Sequence, residues 1–166
     1  MLYISYRGLL KGQDPQAENT PNQIGKAFNA GFACMVDAWR ENGKIYLGSD
    51  QPITEVTADY LKGGKFWINA RNADMQTWLQ AQPIKNYPNY FWLTQPVENY
   101  VTTSSNYLWT YQETPVNNTS IMVLPEDYDS GLFSTINLKC HGICSMLIPT
   151  VKRMRNDGLS IYGPFY

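Results

Sequence analysis

A single histidine, His141, stands in this chain of 166 residues. Acid–base catalysis by a pair of imidazoles is thereby excluded, and a metal centre built from histidine and cysteine is disfavoured. The three cysteines, Cys34, Cys140 and Cys144, match neither a disulfide framework nor a zinc motif. They read as reduced thiols, which points to a cytoplasmic setting. Charge is scarce: 16% of residues are Asp, Glu, Lys or Arg, the net charge is −1 and the pI is near 5.8. Nothing in that balance suits nucleic acid or an anionic membrane as a partner. No apolar run is long enough for a membrane span, and the opening MLYISYRGLL, with no basic leader or cleavage pattern, reads as a first strand. Walker and Rossmann phosphate loops are missing, as are internal repeats and linkers. The sequons at Asn117 and Asn118 carry little weight without a secretory signal.

Aromatic residues are what the chain has in quantity: 14% of the total, with twelve Tyr and five Trp. Length and composition fit one globular domain, residues 1–166. The most informative stretch is GFACMVDAWRENGKIYLGSD, residues 31–50. Asn42-Gly43 between two apolar, aromatic-rich runs predicts a β-hairpin. Alternation along its first arm puts Met35, Asp37 and Trp39 on one face and Cys34, Val36 and Ala38 on the other. Asp37 is thus a carboxylate among apolar neighbours, a group seldom buried without a partner.

In chain order, residues 2–7 predict a strand. Thr20-Pro21-Asn22-Gln23 opens a helix, with Thr as cap and Pro in the first turn, that stops at Gly31. A short helix is expected at 57–61, a strand at 65–70 and a helix at 73–81 capped by Asn72. Further strands are expected at 90–95, 106–112, 120–126, 142–148 and 159–166, with helical turns at 131–137 and 151–155. Several strands are apolar throughout, as parallel strands covered on both faces are. A compact (β/α)8 barrel and an open mixed sheet both fit, although barrels usually run to about 250 residues.

These residues resemble the glycerophosphodiester phosphodiesterase and phospholipase-C-like barrels, in a small form, over nearly the whole length. Tyr6-Arg7-Gly8 stands where the family has His-Arg-Gly, and Glu18-Asn19-Thr20-Pro21 matches a Glu-Asn-x-Pro loop. Met35-Val36-Asp37 partly matches Glu-x-Asp, and Leu47-Gly48-Ser49-Asp50 replaces Leu-Gly-His-Asp. Looser likenesses lie at residues 67–72, 109–111, 124–126 and 142–146. The resemblance implies a compact (β/α)8 TIM-type barrel with shortened or missing helices and an early β-hairpin. It also implies two catalytic histidines and a cation held by carboxylates, and here Tyr6, Ser49 and Met35 replace both histidines and one carboxylate. Neither a phenol nor a serine hydroxyl replaces imidazole near neutral pH.

By alternation, Tyr6, Met35, Asp37, Ser49, Asn69, Arg71, Leu93, Trp109, Tyr111, Met122 or Leu124, Glu126 and Met146 face the mouth, where such barrels carry their sites. The expected function is a catalytically degenerate barrel, a natural pseudoenzyme or an engineered one, with an apolar, aromatic-lined pocket for a planar or apolar small molecule. Its ligand-binding residues are Arg7, Met35, Asn69, Arg71, Leu93, Trp109, Tyr111 and Met146, and no cofactor is needed. One alternative is proton abstraction from a carbon acid, with Asp37 or else Glu126 as base and Tyr6 or Ser49 as hydrogen-bond donor. Another is residual phosphodiesterase activity with Ca or Mg on Asp37 and Asp50, assisted by Glu126 and Arg7. His141, at the opposite end of its strand, reads as structural. The sequence fixes no oligomeric state.

Overall fold

The structure, a computed structural model, describes residues 1–93, 99–111, 114–127 and 139–157. In chain order its elements are β1 (Leu2–Tyr6), α1 (Pro21–Asn29), β2 (Ala33–Glu41), β3 (Lys44–Leu47), β4 (Thr54–Val56), a 3-10 turn (Ala58–Leu61), β5 (Phe66–Ala70) and α2 (Ala73–Ala81). There follow β6 (Tyr90–Phe91), β7 (Tyr100–Thr102), β8 (Leu108–Thr110), β9 (Ser120–Val123), a second 3-10 turn (Pro125–Asp127), β10 (Gly142–Ser145) and α3 (Ile148–Asn156).

Parallel pairing sets the architecture. β1 lies between β2 and β10; β2 continues to β5 and β5 to β6, while β10 continues to β9 and β9 to β8. Chain order is therefore kept around the series, and β10 returns to lie beside β1. β3, β4 and β7 add antiparallel, completing a ten-stranded sheet. The ends of the parallel series come together. Ser104 N donates to Tyr90 O and Tyr90 N to Ser104 Oγ, each at 2.8 Å, and Phe91 stacks on Trp109 at 4.6 Å. The molecule is thus a mixed α/β fold with a strongly curled sheet and few helices.

Curling divides the apolar residues into three cores. Inside the curl, Ile4, Met35, Trp67, Phe91, Trp109, Ile121, Val123 and Cys144 pack together. Outside, α1 and α2 cover Cys34, Val36, Ala38, Phe66 and Ile68, and α3 covers Phe32, Met122 and Ile143. The two faces expected of β2 are found as expected. Met122 packs outward against α3, whereas Leu124 packs on the inner core.

Local signals translate directly into geometry. Asn42 and Gly43 take φ of +49° and +80°, the hairpin turn that Asn-Gly favours. Thr20 and Asn72 cap α1 and α2 by accepting from Gln23 N and Met75 N. The strand expected at 142–148 stops at Ser145, because Ser145 Oγ and Glu126 Oε1 capture the N–H groups of Leu147 and Met146 before Pro149 starts α3. That helix extends the expected turn at 151–155 in both directions. The strand expected at 120–126 ends at Val123, since Leu124 turns to φ +48°. The strand expected at 106–112 begins only at Leu108, after Asn106 turns at φ +64°. The short antiparallel strands β4 and β7 were not anticipated. The strand at 159–166 and the turn at 131–137 lie outside the described residues. Among those described, no helix is long and apolar enough to cross a membrane, and the three cysteines are free thiols.

Candidate functional site

Asp37, fully buried on β2, is the point on which the C-terminal ends of β1, β2, β3 and β5 converge. Arg7 follows β1 directly, and its N–H donates to Met35 O, so the chain turns there at φ +54°. Gly8 completes the turn at φ +82°; a Cβ on it would lie 3.0 Å from Ile24 N and 3.1 Å from the Gln23 carbonyl carbon. Only glycine lets this turn sit against the first turn of α1. The turn delivers Arg7 Nε to 2.7 Å from Asp37 Oδ2. Arg7 Nη1 reaches Glu18 Oε1 at 3.0 Å, and the guanidinium lies over the Tyr6 ring at 4.9 Å.

Asn19 is 2% exposed with φ +55°. Its Oδ1 accepts from Asp37 N (2.9 Å), while its Nδ2 donates to Asp37 Oδ2 (3.2 Å) and to Ser49 Oγ (2.9 Å). Ser49 in turn donates to Glu18 Oε1. Ser49 is placed by Gly48, whose N–H donates to Asp37 O and whose carbonyl accepts from Trp39 Nε1 at 2.6 Å. A Cβ on Gly48 would collide with Gln51 O. From β5, Asn69 Nδ2 donates to Asp37 Oδ1 at 2.7 Å, and Arg71 Nη1 lies 3.8 Å from the same oxygen, its guanidinium over Trp39.

Burial pushes the Asp37 carboxyl above its ordinary value, and the guanidiniums of Arg7 and Arg71 with the amides of Asn69 and Asn19 oppose that push. Burial also works against the Arg7 charge, but Asp37, Tyr6 and Glu18 outweigh it and raise the guanidinium's pKa. Both Asp37 oxygens accept N–H groups, the pattern of a carboxylate rather than of a carboxylic acid. Burial raises the phenols of Tyr6 and Tyr111 as well, so both stay protonated well into alkaline solution.

Of the residues expected at the site, Arg7, Asp37, Ser49, Asn69 and Arg71 therefore form one bonded network, with Tyr6 against it. Met35 and Trp109 lie lower, fully buried in the inner core with Tyr6, Leu93 and Tyr111 packed on that core. Trp109 is sandwiched by Phe91 at 4.6 Å and Trp67 at 5.6 Å, and its Nε1 donates to Tyr111 Oη at 2.9 Å. Asp50 is exposed on the lip of a cleft of about 220 Å³ between Pro15 and Thr54, outside the Asp37 network. Glu126 and half-buried Met146 belong to the β9–β10 side, where Glu126 Oε1 accepts from Ser145 Oγ (3.0 Å) and Met146 N (2.7 Å). Glu126 Oε2 is buried without a partner among the described residues, and burial raises this carboxyl above its ordinary value. His141 stacks on Tyr107, with ring centroids 4.1 Å apart. No three His, Cys, Asp or Glu among the described residues are placed to hold a metal ion.

Glu18 and Asn19 were not among the expected site residues, yet Asn19 makes more contacts with Asp37 than any other side chain. The Glu-Asn-x-Pro likeness was the signal pointing to them. Comparison with family models, with curated proteins and with solved structures returns no match in any of the three.

Proposed function

We propose that this protein is a catalytically degenerate phosphodiesterase-like (β/α)8 barrel, natural or engineered, that binds a small molecule at the C-terminal ends of its strands. One observation carries the reading: both oxygens of Asp37 are engaged by Arg7, Arg71, Asn19 and Asn69. A carboxylate so enclosed has its charge balanced from within the protein. Two guanidiniums beside it repel a divalent cation, and the rest of the six or more oxygen ligands that Ca takes, or the six usual for Mg, are not gathered around it among the described residues. The same donors and cations favour its charged form and so weaken it as a base. Support for a ligand comes from buried polar atoms without partners among the described residues, Asn69 Oδ1 and Arg71 Nε, which lie beside the network. The half-buried rings of Tyr6 and Tyr111 and the side chains of Leu93 and Met146 supply apolar surface there. Free thiols fit a reducing, cytoplasmic compartment.

The deciding assay is hydrolysis of bis(p-nitrophenyl) phosphate with Ca or Mg. The expected result is no turnover above the metal-only background. Metal-stimulated turnover abolished by Asp37→Asn would restore the residual phosphodiesterase reading.

A second reading keeps general-base chemistry and moves it from Asp37 to Glu126. The favouring observation is the buried Oε2, without a partner among the described residues, together with the raised pKa of this carboxyl. A base acts only when deprotonated, so the raised pKa shifts the acid limb of the rate profile above the range of an ordinary glutamate. Turnover of an activated carbon acid should then fall as pH drops through that raised pKa, and Glu126→Gln should lower it by about 100-fold or more. Full activity of Glu126→Gln removes this reading.

A further inference from the structure

Where the parallel series meets its own far end, between α2 and the β6–β7 seam, lies a cleft of about 350 Å³. Gln76 and Gln80, one helical turn apart on α2, form one wall; Tyr90 and Trp92 form another; Thr102 and Val101 of β7 close the third. None of the described residues lining it is acidic or basic. The side-chain amides of both glutamines and the polar tips of Tyr90 and Trp92 make no hydrogen bond to the described residues. Phe91, beneath, turns its ring into the inner core, where it stacks on Trp109.

The lining selects against most ligand chemistries. An ionic ligand entering it would lose water and meet no counter-charge from the described residues, which is costly. A purely apolar ligand would strand two amides and a hydroxyl as they lose their water. A ligand with neighbouring hydroxyls and a C–H face meets every requirement: each glutamine amide offers donor and acceptor together, and Tyr and Trp offer an apolar face with a polar edge. We propose that this cleft binds a neutral mono- or disaccharide, independently of whatever occupies the mouth beside Asp37.

The test is calorimetric titration of the full chain with glucose, maltose, cellobiose and N,N′-diacetylchitobiose, followed in parallel by tryptophan fluorescence. At least one of these is expected to saturate with a Kd in the range of about 0.1–10 mM, the affinity of a small, half-open site. Trp92→Ala and the double variant Gln76→Leu/Gln80→Leu should each weaken that binding by about tenfold or more, with circular dichroism and melting temperature held. All three glutamine and tryptophan positions lie at the cleft surface, and the leucine pair keeps side-chain bulk while removing hydrogen bonding. Glucose 6-phosphate should bind at least about tenfold more weakly than the best neutral sugar. Absence of saturation by all four neutral sugars overturns the proposal. So does unchanged affinity in both variants, or preference for glucose 6-phosphate.

Discussion

Replacing Asp37 by alanine should destabilise the fold by about 3–5 kcal/mol, the usual cost of removing one member of a buried ion pair. The side chain is fully buried, and without it Arg71 loses its only anionic partner among the described residues. Asn69 Nδ2 loses its acceptor, and Arg7 keeps only Glu18. Desolvated donors left without acceptors are the expensive outcome, more so than the loss of the contacts themselves. For a domain of this size the expected fall in Tm is roughly 6–20 °C. A paired variant separates the two contributions. Arg7→Met with Asp37→Leu removes charge from both sides and should recover part of the loss, because apolar replacement of a buried pair is often near neutral. Thermal melts of the three proteins decide the matter. A melting temperature for Asp37→Ala within about a degree of the parent would mean that the network does not hold the strand ends together.

Trp109→Ala should cost about as much, roughly 3–5 kcal/mol, by a different route. Trp109 is wholly buried between Phe91 and Trp67, with ring planes inclined by 28° and 25°. It joins β8 to β5 and β6, the part of the sheet where backbone pairing between the two ends of the parallel series is sparse. Truncation opens a cavity that its neighbours cannot fill without leaving their rotamers, and it strands the Tyr111 hydroxyl. Trp109→Phe keeps one ring and should lose less than half as much. Near-ultraviolet circular dichroism gives a second readout, since the stacked indoles of Trp67 and Trp109 should contribute a coupled signal that disappears in both variants. If Trp109→Ala melts like the parent, side-chain packing does not hold the curl.

Much of the fold was legible because its signals are local. A capping side chain reaches a backbone N–H three residues away, as at Thr20 and Asn72, and an Asn-Gly turn needs only its own two positive φ angles. Strand ends were less legible. Nothing within residues 142–148 announces that Glu126, on a neighbouring strand's exit loop, will capture Met146 N and stop the strand. The short edge strands β4 and β7 were missed for a similar reason: three residues each, they are strands only because β3 and β8 offer an unpaired edge.

Within the site, sequence alone determined the chemistry that is missing. One histidine cannot supply a pair of imidazoles, and a methionine at position 35 offers no oxygen to a hard cation, whatever the fold. It also determined that Met35 and Asp37 share a face, since strand alternation is a property of the backbone. Tertiary structure alone decided what meets Asp37. Its partners are 18 residues away at Asn19 and 32 away at Asn69, on different elements, and their approach depends on strand order and register. A shift of one residue in the β2–β5 pairing would turn Asn69 and Arg71 to the other face and leave Oδ1 without its two partners.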